Sequence, residues 1–100
     1  MAHDIRETII DQITQAVLPI LTDHGATRAG LFGSLVRGQI RKRSDIDILV
    51  ELPRSLSLLD VVGIQQELED TLGRKVDLVQ YDAIKPRIRD RILAEELRIL

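Results

Sequence analysis

The fold class this sequence predicts is α/β, with a small mixed sheet flanked by helices. Three observations carry that expectation. Segments with apolar residues at helical spacing alternate with short apolar runs of strand length. Gly25, Gly38, Pro53, Gly73 and Pro86 fall at the junctions. The chain has 100 residues, 44% of them hydrophobic and none of them cysteine. That is enough apolar surface for one core without disulfides, so residues 1–100 read as a single domain.

Residues 4–24 read as a helix, with Ile5, Ile9, Ile13 and Val17 on one face. Pro19 falls inside it, so a kink or a second short helix from near Leu18 is expected, stopped by Gly25. Residues 27–32 suit a strand. Gly33-Ser34 then leads into a brief helical turn closed by Gly38, and residues 39–44 form a basic loop. Asp45 to Leu52 alternates acid and aliphatic before running apolar, a strand pattern ended by Pro53. Leu58, Leu59, Val62, Leu68 and Leu72 fall on a second helix that Gly73 stops. Lys75 to Gln80 makes a third strand. Pro86 suits the first turn of a last helix over 86–97, with Ile88, Ile92 and Leu93. The final Arg-Ile-Leu has the length of one more short strand. The expected order is α-β-α-β-α-β-α.

Composition excludes some functions. The net charge of −2 and a pair of aromatics, Phe32 and Tyr81, disfavour a long nucleic-acid ligand. A small phosphate ligand needs only local positive charge. No apolar run approaches the roughly 18 residues of a membrane span. The first residues carry Asp4, Glu7 and Asp11 rather than a secretory leader, so a cytoplasmic protein is expected.

Asp45 and Asp47 stand two apart at the start of the second strand, a spacing that puts both on one face with Cβ atoms roughly 7 Å apart. Two such carboxylates repel by roughly 2.4 kcal/mol at an effective dielectric of 20, and aspartate is a poor strand former. A cation, a cap or solvent must compensate. Asp77 repeats the feature between Val76 and Leu78. If the two strands are neighbours, all three carboxylates can converge. Hard oxygen ligands without His or Cys suit Mg²⁺ or Mn²⁺. Taken alone, an Asp-x-Asp at a strand start is more often a solvated edge, with Ser44 and Asp45 as turn residues.

Gly33-Ser34 changes that balance. Glycine lets the backbone approach a ligand closely, serine adds a hydroxyl, and a helix start attracts anions. Arg37, Arg41, Lys42 and Arg43 follow within seven residues. Gly-Ser, ten residues, then Asp-x-Asp would arise by chance on the order of once per thousand chains of this length. It also falls between one strand's end and the next one's start, the context that a phosphate and metal site needs.

The segments Leu31-Phe32-Gly33-Ser34-Leu35-Val36-Arg37-Gly38 and Ser44-Asp45-Ile46-Asp47-Ile48-Leu49-Val50 resemble the signature of the minimal nucleotidyltransferases, within the DNA polymerase β-like superfamily. Val76-Asp77-Leu78 resembles that family's third-acid strand. The resemblance covers nearly the whole chain and implies the polymerase β-like fold. It implies that Gly33 and Ser34 bind the triphosphate, with Arg37 and the 41–43 loop neutralising its charge. It further implies that Asp45 and Asp47 bridge two Mg²⁺ ions (Mn²⁺ being an alternative), and that Asp77 binds the catalytic metal and helps deprotonate the acceptor hydroxyl. Leu35-Val36 departs from the small or polar residues common there, with an expected effect on packing rather than chemistry. The family often accompanies HEPN-domain proteins as toxin–antitoxin pairs. The implied activity is thus transfer of AMP from ATP to a hydroxyl of a HEPN partner, with a homodimer or a partner completing an open site. Two alternatives stay open: transfer to a small molecule, and a non-catalytic module that occludes its partner. His3 and His24 read as solvated, Tyr81 as a packing residue, and the charged run 85–96 as a solvated face or a partner contact.

Overall fold

The computed structural model describes residues 5–38 and 45–100, so His3 and the basic loop at 39–44 lie outside the described residues. In chain order it contains α1 (Ile5–Asp23), β1 (Arg28–Phe32), β2 (Ile46–Glu51), α2 (Leu58–Leu72), β3 (Val76–Gln80), a 3-10 turn at Tyr81–Ala83, α3 (Pro86–Glu95) and β4 (Leu97–Arg98). The strands form one mixed sheet in the order β3-β2-β1-β4. β1 runs antiparallel to both β2 and β4, while β2 and β3 are parallel. A parallel pair cannot be joined by a tight turn, and α2 supplies the crossover.

Strand alternation divides the sheet into two faces. Ala29 and Leu31 of β1, Ile46, Ile48 and Val50 of β2, and Val76 of β3 are buried in the main core. They meet Ile13, Val17, Ile20 and Leu21 of α1 and Ile64 and Leu68 of α2. The intervening residues, Gly30, Asp47, Leu49 and Asp77, turn to the opposite face. There the chain from Tyr81 onward gives partial cover through Ile84 and Glu96. The polar site therefore occupies a face that the main core does not need.

Several expectations change in detail. Pro19 lies inside one continuous α1 rather than starting a second helix. It is exposed, so the carbonyl it leaves without an N–H partner can be hydrated. Residues 33–38 form a turn, not a helix, which removes one helix from the expected order. β2 begins at Ile46, leaving Asp45 exposed just before it. On α2 the inward residues are Val61, Ile64, Leu68 and Leu72, while Leu58 and Leu59 are 78% and 81% exposed. The helix starts at a capping box: Ser57 Oγ accepts from the Asp60 N–H at 3.2 Å and the Ser57 N–H donates to Asp60 Oδ2 at 2.8 Å. α3 ends at Glu95 and the tail forms the short strand. Beyond it, the Ile99 and Leu100 N–H groups donate to the Ala29 carbonyl at 2.9 and 3.1 Å. His24 is not simply solvated: its Nε2 lies 3.0 Å from Glu67 Oε1, tying the end of α1 to α2.

Candidate active site

The site begins where β1 ends. Phe32 pairs with Asp47 across the antiparallel ladder, and the chain then turns at Gly33. Arg37 N–H donates to the Gly33 carbonyl at 3.1 Å and Gly38 N–H to the Leu35 carbonyl at 3.2 Å. Leu35 anchors this turn in the core at 3% exposure, a packing role as expected of the Leu35-Val36 departure. Ser34 is half-buried beside it and Arg37 reaches outward.

Gly33 has φ +77, a conformation that side chains disfavour. A Cβ at that position would overlap the Asp47 carboxylate. The glycine therefore answers two needs at once: the turn, and the room in which the Asp47 carboxylate lies against the backbone.

On the other side of Asp47 stands Asp77, directly opposite it in the parallel register of β2 and β3. Adjacent strands lie about 4.8 Å apart, so the sheet holds two like charges side by side. Burial, followed by the charges of Asp77 and then Asp45, pushes the Asp47 carboxyl up to about 6, partly offset by the Arg37 cation. A carboxylate whose proton affinity is raised by burial and by neighbouring like charges is poised to take up a cation instead. The convergence of all three acids is only partly realised. Asp47 and Asp77 are paired by the sheet and Asp45 contributes its charge from the exposed strand entry. Among the described residues no three acidic or histidine side chains close around one point. The donor set is carboxylate oxygen alone, which fits Mg²⁺, an ion that takes one or two carboxylates and fills its remaining positions with water and phosphate.

Two carboxylates that the sequence reading placed on a solvated helical face belong to this region. Glu95, at the end of α3, accepts from Arg37 Nη1 at 3.0 Å. Its neighbour Glu96 is 6% exposed at the side chain and lies over Gly30, where a Cβ would overlap it. Arg28 Nη2 approaches Glu96 Oε1 at 3.4 Å, and the Tyr81 hydroxyl donates to Glu96 Oε2. The Arg28 guanidinium also stacks 4.2 Å above the Tyr81 ring centroid. Burial and the bond to Glu96 push the Tyr81 phenol above its usual range, and its contacts with Glu96 and Arg28 give Tyr81 a structural role. The available signal was position: two acids at a helix C-terminus oppose the helix dipole and call for cations.

A Gly-Ser turn at a strand end, facing paired acids across a mixed sheet of this order, defines the class of nucleotidyltransferases built on the polymerase β fold. The model of the family described as polymerase beta, nucleotidyltransferase matches residues 15–100, and the chain belongs to that family, with the minimal nucleotidyltransferases. A Methanocaldococcus jannaschii relative, provisionally named a protein adenylyltransferase, is 46% identical over 91% of this chain and 98% of its own. The protein adenylyltransferase MntA of Thermococcus cleftensis is 41% identical over 71% of this chain and 72% of its own. A solved structure, provisionally described as a minimal nucleotidyltransferase, superposes with TM-score 0.78 at 37% identity, covering 97% of this chain and 98% of its own. The fold is shared with the MNT antitoxin complex of a tri-AMPylated HEPN toxin from Shewanella oneidensis. There the TM-score is 0.71 at 21% identity, over 90% of this chain and 71% of that one. Among the described residues no helix is long and apolar enough to cross a membrane.

Proposed function

We propose that residues 1–100 act as one catalytic domain that transfers AMP from ATP to a hydroxyl of a partner protein, a HEPN toxin that it thereby silences. The observation that carries the chemistry is the Asp47–Asp77 register beside Gly33. The protein acceptor is supported by the names of the archaeal relatives, and the HEPN partner by the complex that shares the fold.

In this reading the turn at Gly33-Ser34 receives the triphosphate and Arg37 donates to its oxygens. Asp45, Asp47 and Asp77 would hold two Mg²⁺ ions, or Mn²⁺. When bound, such ions neutralise phosphate charge and lower the pKa of the acceptor hydroxyl. The acceptor oxygen bonds to the α-phosphorus as the bond to the pyrophosphate oxygen breaks, and Asp77 takes the hydroxyl proton. The open face around Asp77, which is exposed, leaves room for a macromolecular acceptor.

Incubating the protein with α-labelled ATP, Mg²⁺ and the HEPN protein tests the reading. Label on the partner is expected. Confirmed partner binding without label, together with neutralisation that survives Asp45→Asn plus Asp47→Asn, would replace it with an occluding module. Label on a small hydroxyl compound would redirect the acceptor.

A further inference from the structure

Glu95 and Glu96 end α3 where the helix dipole is negative, and the helix has no basic residue in its last turn. Each acid is instead matched by an arginine from the β1 side of the sheet. The Glu96 match is an anchor: a buried carboxylate held by Arg28 and Tyr81 fixes the start of β4 over Gly30. The Glu95 match is different. Its side chain and that of Arg37 are 28% and 42% exposed, and it adds little to an attachment its neighbour already makes.

The geometry of the pair suits orientation. Glu95 takes Arg37 Nη1 at 3.0 Å, the one side-chain acceptor of this guanidinium among the described residues, and a guanidinium has five donors, so the fork keeps donors for another acceptor. The Arg37 backbone is itself fixed to Gly33. A long side chain loses rotamer freedom on gripping a phosphate, and one already held loses less. We propose that Glu95 is a positioning residue that holds the Arg37 guanidinium with its free edge toward the triphosphate. This rests on the reading that the Gly33-Ser34 turn is the nucleotide site.

The test is Mg²⁺·ATP affinity by calorimetry in a double-mutant cycle of Glu95→Gln and Arg37→Gln. Glu95→Gln is expected to weaken binding roughly three- to fivefold, as the loss of a partly exposed ion pair allows. Arg37→Gln should weaken it further, and the double variant should be no weaker than Arg37→Gln alone. Glu95→Asp, which keeps the charge but shortens the reach, should fall between wild type and Glu95→Gln. Unchanged or tighter binding in a folded Glu95→Gln protein overturns the proposal. So does an equal loss in the Arg37→Gln background, or failure of Glu95→Gln to fold, which would make Glu95 an anchor. Wild-type protein that does not bind Mg²⁺·ATP would instead overturn the nucleotide reading itself.

Discussion

Asp47 is the most constrained residue of the site. Burial, with the charges of Asp77 and Asp45 beside it, pushes its carboxyl up to about 6 from the ordinary 3.8. A proton bound more tightly in the folded state stabilises the fold below pH 3.8, and that contribution is lost as pH rises through 6. At pH 7.5 the ionised group therefore costs about 1 kcal/mol once solvent screening is discounted. Asp47→Asn should melt at a higher temperature than wild type at pH 7.5 in EDTA, with no gain at pH 4. Thermal melts at the two pH values check this. The same titration should weaken Mg²⁺ binding as pH falls through 6, because the ion competes with the proton. Asp77→Asn is expected to reduce transfer by at least roughly 100-fold, the scale of a lost general base, as measured with labelled ATP.

At the scale of elements, the turn after β1 and the cap of α2 make separable contributions. Gly33→Ala must relieve both the positive φ and the overlap with Asp47. It is expected to cost about 1–3 kcal/mol and to reduce transfer with it, seen together by denaturant unfolding and labelling. Ser57→Ala removes half of the capping box. It should cost about 1 kcal/mol and leave transfer per folded molecule unchanged, since Ser57 is at the far end of β2 from the acids. The elements were mostly legible in the sequence because glycines and prolines mark their ends and apolar spacing marks their type. Alternation along β2 puts Asp47 on the face opposite Ile46 and Ile48, whereas the arrival of Asp77 beside it depends on which strands are neighbours. What escaped was pairing between distant positions. Periodicity places Leu58, Leu59 and Val62 on a helix without saying that Val61 and Ile64 win the inward side. Composition cannot show that Glu95 and Glu96 meet Arg37 and Arg28, because nothing local ties residues some 60 positions apart.

For the molecule as a whole, core and acids lie on opposite faces of one sheet. Chelation should therefore abolish transfer without unfolding the protein. Far-UV circular dichroism in EDTA should stay native, while Mg²⁺ raises the melting temperature only by its binding energy to the folded form. The pairing of Asp47 with Asp77 has a further consequence for the route to this fold. β1 and β2 are separated by 13 residues, whereas β3 follows β2 only after 24 residues and the crossover of α2. Closing that longer loop is the slower event, and it brings one carboxylate to lie beside another. Refolding should accordingly run faster in Mg²⁺ or moderate salt than in dilute buffer, and the Asp77→Asn chain should lose most of that acceleration. The repulsion that readies the site for a cation is also a brake on the docking of β3 against β2.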